Sequence, residues 1–131
     1  MTQSEKTSAL NAWYRADLMF KHFGEVPFNP SLPFKTVLAQ PFIVYAYLFH
    51  ALVFTVLEFL KEKDSIPSSI KSDVMVHWDN LRLFRNAVFH IQDEVVSPKT
   101  MALVESDLHI KVVYRIHSEI GKYLEHLSPT D

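Results

Sequence analysis

The stretch Leu81-Arg82-Leu83-Phe84-Arg85-Asn86-Ala87-Val88-Phe89-His90 gathers the side chains in this chain best suited to chemistry. A guanidinium grips phosphate through paired N–H groups, and an imidazole exchanges protons near neutral pH. On a regular helix Asn86 and His90, four residues apart, share one face, whereas Arg85 and His90 point roughly 140° apart. Arg85 and His90 therefore cannot grip one phosphate from a single regular helix. They converge only if the helix loosens near His90, or if two chains supply them across a two-fold axis.

The remaining histidines of the seven offer less. His109 and His117 lack the three- or four-residue spacing that two ligands on one helix face need, and no His-Glu-x-x-His occurs. Both read as residues of a solvated helix face. His50 lies inside an apolar run and reads as a core histidine with a backbone or side-chain partner. His22 and His126 fall near helix C-termini, where a partly protonated imidazole suits the helix dipole. The absence of cysteine removes thiolate zinc sites, redox motifs and disulfides, and no metal or cofactor is expected.

The elements that must position these residues are helices. Only two glycines occur, Gly24 and Gly121, with no hairpin dipeptide and no long alternation of apolar and polar residues. The first segment runs from about Ser4 to Phe23. Thr2 and Glu5 stand at capping-box spacing, Leu10, Trp13, Tyr14 and Leu18 form an apolar face, and Gly24 is the expected stop. Pro27, Pro30 and Pro33 exclude a continuous helix from Glu25 to Lys35. The second segment starts at Pro41 and continues to about Lys63.

From Phe42 to Leu60 this second segment is apolar on every side. Its length approaches the roughly 20 residues of a membrane span. A central helix buried by protein is the preferred reading, because His50 and Glu58 interrupt the run and the other segments are amphipathic. A short lead, Pro67 to Lys71, precedes a third helix from about Ser72 to Ile91. The fourth follows Ser97-Pro98, a capping residue with Pro at the first helical position. In it Val104, Leu108, Val112, Ile116, Ile120, Leu124 and Leu127 recur at helical spacing. The expectation is an all-α, antiparallel four-helix bundle forming one domain over residues 1–131, with flexible ends at about 1–4 and 128–131.

Net charge is −2, far from the strongly basic balance of a protein that coats nucleic acid, so any such contact must come from a local patch. The polar start, Met1 to Ala9, argues against a signal peptide, and a cytoplasmic protein with no membrane contact is expected. On the third helix Val74, His77, Leu81, Phe84, Val88 and Ile91 form a core-facing stripe. The opposite side, Met75, Trp78, Arg82, Arg85, Asn86 and Phe89, mixes large apolar groups with Arg and Asn as interfaces do. A homodimer through the second and third helices accounts for that face and for the all-round apolar second helix.

Arg85, Asn86 and His90, on a late helix of a helical chain, make this sequence resemble the HEPN superfamily. The resemblance implies a four-helix bundle and a metal-independent endoribonuclease working as a dimer, in the manner of toxins and defence effectors. It assigns His90 as general base toward a ribose 2′-OH or as acid toward the leaving 5′-oxygen. Arg85 would hold the scissile phosphate, and Asn86 would orient the phosphate or the imidazole. Arg82 is a further candidate for binding the RNA substrate. An antitoxin or regulatory protein is an implied partner. Gln92 stands where some HEPN toxins paired with a nucleotidyltransferase antitoxin carry Tyr, a departure that weakens the likeness to that subgroup and leaves Arg85, Asn86 and His90 untouched. Many HEPN domains are non-catalytic dimerisation or ligand-binding modules, and that is the alternative reading; in it Arg85 pairs with Asp79 or with an acid of a second chain.

Overall fold

The computed structural model describes residues 1–29, 31–32, 40–89 and 97–130, and they are helical throughout, with no strand among them. Among the described residues five α-helices follow one another: α1 (Gln3–Glu25), α2 (Pro41–Glu62), α3 (Lys71–Phe89), α4 (Pro98–Glu105) and α5 (Asp107–His126), with a 3₁₀ turn at Ser68–Ile70 before α3. His90, Ile91 and Gln92 lie outside the described residues, as do Pro30 and Pro33.

Local chemistry sets most of the boundaries. The Thr2 side chain accepts from the Glu5 N–H while the Glu5 carboxylate accepts from the Thr2 N–H, closing the expected capping box of α1. Gly24 does not stop this helix. It lies in the last turn, and α1 ends where Val26 takes the extended conformation required of a residue before proline. Pro41 opens α2 at the first helical position. At its other end Asp64 sits at φ 48, the Asp64 N–H donates to the Lys61 carbonyl and the Ser65 N–H donates to the Leu60 carbonyl. This is a Schellman closure with Asp in the place glycine usually takes.

The fourth expected helix is two. Ser97 caps α4 together with Thr100, but at Ser106 the backbone is extended and its hydroxyl accepts from the His109 N–H, starting α5 afresh. The one-residue break changes the helical phase. Leu108, expected on the buried stripe, is 75% exposed, while His109, Val113, Ile116, His117, Ile120 and Leu124 turn inward. Those two histidines, read from sequence as solvated, are thus core residues.

α2 is the central element. Eleven of its side chains are buried, from Ile43 to Leu60, because α1 and α3 both pack along it. Phe20 and Phe23 of α1 meet Phe49, and Tyr47 and His50 of α2 meet Phe84 of α3. By length and composition α2 is apolar enough to cross a membrane, yet 61% of its most apolar stretch is buried inside the protein. That is the pattern of a soluble protein's core helix. Val74, Leu81 and Phe84 of α3 are buried, as their spacing requires, with His77 and Val88 at the margin.

α5 closes against α1 through an unusually near contact. The Trp13 indole lies on the α5 backbone at Gly121, where a Cβ would stand 2.4 Å from the ring. Its N–H donates to the His117 carbonyl at 2.7 Å. Glycine is needed here for close approach, not for an unusual backbone angle.

Candidate functional site

The outward side of α3 brings two of the four expected site residues together. Arg85 Nε donates to Asn86 Oδ1 at 2.9 Å, and Arg85 Nη1 donates to Glu58 Oε1 of α2 at 2.9 Å. The guanidinium also stands over the Phe54 ring, 5.2 Å from its centroid. Three contacts therefore fix a half-buried cation whose Nη2 makes no hydrogen bond among the described residues. Such a group can still accept an anion.

Arg82 is used differently. It pairs with Asp79 at 2.8 Å on an exposed helix surface and does not join Arg85. Of the partners that the alternative reading offers to Arg85 (Asp79 or an acid of a second chain), Asp79 is paired with Arg82, and Arg85 pairs with Glu58 of its own chain. The position of His90 relative to Arg85 and Asn86 falls outside the described residues.

Glu58 was visible in the sequence only as a lone carboxylate near the end of an apolar helix. The signal it carried was general: a carboxylate in such surroundings needs a partner. The partner lies 27 residues away, beyond the reach of helical spacing.

Two turns from Arg85 toward the start of α3, Trp78 meets Phe54 edge-on at 4.7 Å, and the Lys61 ammonium lies 4.5 Å from the Trp78 centroid. Between the end of α2 and the start of α3 there is a groove of about 390 Å³, with Trp78, Val74, Met75 and Ile66 as its apolar lining. Lys61, Lys71, Asp64 and Asp79 supply its polar rim.

The core histidines form a second polar system. His50 Nδ1 lies 2.6 Å from the Ala46 carbonyl, which can only accept, so Nδ1 carries the proton and Nε2 a lone pair. His109 Nε2, 3.2 Å away, must then donate to His50 Nε2, leaving His109 Nδ1 as a lone pair. That atom and His77 Nδ1 are buried without hydrogen-bond partners among the described residues. Burial pushes the His50 imidazole down to about 3 and His109 to about 4, the latter assisted by nearby His77. Among the described residues no group of three or more His, Asp or Glu side chains is arranged to hold a metal ion.

On the far side of α1, His117 Nε2 stands 3.1 Å from Asp17 Oδ1, and its ring stacks on Trp13 at 4.4 Å. Burial lowers the His117 pKa, and Asp17 only partly offsets this. For Asp17 burial acts upward, but hydrogen bonds from Lys21 and His117 outweigh it and leave the carboxyl below its usual value. The pair is an internal tie between α1 and α5, with a nearly inaccessible imidazole.

No family model matches the chain, and no curated protein or solved structure matches it significantly. The likeness to HEPN domains rests on Arg85-Asn86-x-x-x-His90 and on the helical class alone.

Proposed function

We propose that this chain is a metal-independent endoribonuclease of the HEPN type, a growth-inhibiting or defence effector of the cytoplasm restrained by an antitoxin or regulatory protein. Arg85 holds the scissile phosphate and offsets the charge that builds on it. His90 takes the proton of the ribose 2′-OH or supplies one to the leaving 5′-oxygen, and Asn86 orients the phosphate or the imidazole. Attack by the 2′-oxygen on phosphorus breaks the bond to the 5′-oxygen and leaves a 2′,3′-cyclic phosphate. The chemistry requires RNA, because DNA has no 2′-OH. The working unit is an antiparallel helical bundle paired through α2 and α3, each site drawing on both copies.

The observation that carries this reading is the Arg85–Asn86 side-chain bond on the outward edge of α3, with Nη2 of the guanidinium making no hydrogen bond among the described residues. Exposed Phe89 and Val44 offer apolar area to a second copy. The test is incubation of a mixed-sequence RNA with the purified protein in EDTA, beside His90→Ala of equal helicity. Cutting by the parent alone, with cyclic phosphate ends, supports the reading; equal cutting by both, or by neither, sinks it.

A second reading, a non-catalytic HEPN-like dimerisation or ligand-binding module, draws on the Glu58–Arg85 ion pair, which already balances the guanidinium within one chain. Glu58→Gln separates the two. In a ribonuclease it frees Arg85 to swing from its place and changes the cleavage rate, whereas in a module it changes assembly or stability with no cleavage to alter.

A further inference from the structure

We infer that the groove between the end of α2 and the start of α3 is a subsite for one nucleobase of single-stranded RNA, with Trp78 as the stacking surface. This rests on the ribonuclease reading and extends it to how the substrate is held. Trp78 is half-buried and packs edge-on with Phe54, and the ammonium of Lys61, a flexible and exposed side chain, stands over its ring. A base entering the groove displaces that ammonium and stacks on the indole. Lys61 then stands beside the adjoining phosphate.

The groove's volume, about 390 Å³, is that of a small-ligand site, and its floor is apolar. Its rim carries both signs, which suits a base edge that presents donors and acceptors side by side. Asp79 is engaged by Arg82, so the rim charges without an ion pair among the described residues are Lys61 and Lys71 against Asp64. That balance favours a polyanion.

The groove and the proposed site lie along the same side of α3. Trp78, Arg82 and Arg85 follow at four- and three-residue steps along one side of α3, and Asn86 lies about 12 Å further along the axis than Trp78. A strand stacked at Trp78 and running along this side passes Arg82 before reaching Arg85. Aromatic stacking beside spaced cations is the general means of holding single strands, and it tolerates sequence variation because every base has a π-face.

The experiment is an anisotropy titration of a labelled 12-nucleotide 2′-O-methyl RNA, which cannot be cut by its own 2′-oxygen. The parent is compared with Trp78→Ala, Trp78→Phe and Met75→Glu. Met75 lines the groove and is 80% exposed, so Met75→Glu places a negative charge there without disturbing the core. Trp78→Ala should weaken binding about 5- to 150-fold, the contribution of one stacked base. Met75→Glu should weaken it in the same direction, and Trp78→Phe should retain most of it. Lys61→Ala should lower the salt slope by about one unit.

Parent-like binding by Met75→Glu overturns the subsite even if Trp78→Ala is impaired, because Trp78 also packs against Phe54. Absence of binding by the parent overturns it as well. Cleavage of ordinary RNA distinguishes this failure from failure of the ribonuclease reading. RNA cut with an unchanged KM by Trp78→Ala removes the subsite and leaves the enzyme. Trp78-dependent binding with no RNA ever cut keeps the subsite and removes the enzyme.

Discussion

Between α1 and α5, Trp13, His117 and Asp17 bring together an aromatic ring, a basic group and a carboxylate; between α2 and α3, Phe54, Arg85 and Glu58 do the same. The first set is closed by its own bonds, although a pocket of about 160 Å³ opens beside Trp13, Asp17 and His117. Trp13 spends its N–H on a backbone carbonyl, Gly121 lets the ring reach the helix, and the imidazole is almost wholly buried. The second set is more open, with a guanidinium held through Nε and Nη1 whose side chain keeps about a quarter of its exposure. Similar groups thus tie helices together in both seams, and the second keeps more of its charged side chains exposed. Burial and spare hydrogen-bonding capacity, more than residue type, separate the two.

The comparison breaks most visibly if the closed seam proves dispensable. Trp13→Ala should destabilise the protein by about 3 kcal/mol, measured by urea unfolding, since it removes a large ring and a hydrogen bond to the His117 carbonyl. The core histidines give the next effect. His50 and His109 are neutral in the folded protein, with values lowered to about 3 and about 4, whereas in the unfolded chain they bind protons near pH 6.5. Stability should therefore be fully present above about pH 6.5 and fall as pH drops toward 4. His109→Gln, which keeps an N–H toward His50 but cannot titrate, should flatten this decline; an unchanged acid limb would show that these groups do not set it.

Gly121→Ala sharpens the same seam with a single methyl group. Its Cβ meets the Trp13 ring, so the indole must shift, and a loss of about 1–3 kcal/mol is expected. At the open seam the smallest change in stability is expected. Glu58→Gln should cost less than about 1 kcal/mol, because both partners of its ion pair retain substantial exposure. A loss comparable to that of Trp13→Ala would mean that the α2–α3 seam is structural after all.

The elements were legible in sequence wherever a neighbouring residue sets them: Thr2 with Glu5, Pro41, and Ser97 with Pro98 each mark a helix start through chemistry within a few residues. The division at Ser106 was hidden by the apolar spacing that continues through Val104 and Leu108, although Ser106-Asp107 is itself a plausible cap and first-turn acid. Missing that break assigned Leu108 to the core and His109 and His117 to solvent, the reverse of their burial. At the site, the side of α3 bearing Arg85 and Asn86 follows from helical periodicity. The Glu58 partner does not, because it depends on how α2 and α3 meet. Nor does the contact of Trp13 with Gly121, which joins residues 108 positions apart in the chain.

The open seam has its most direct test in Arg85. RNA cleavage in EDTA should be followed for the parent and for Arg85→Ala at matched helicity and matched oligomeric state. Loss of about 10²–10³-fold in rate, with the fold intact, is the expected result for removal of a group that stabilises charge in the transition state. Equal cleavage by the two proteins would contradict the assignment of this face of α3 as the active one.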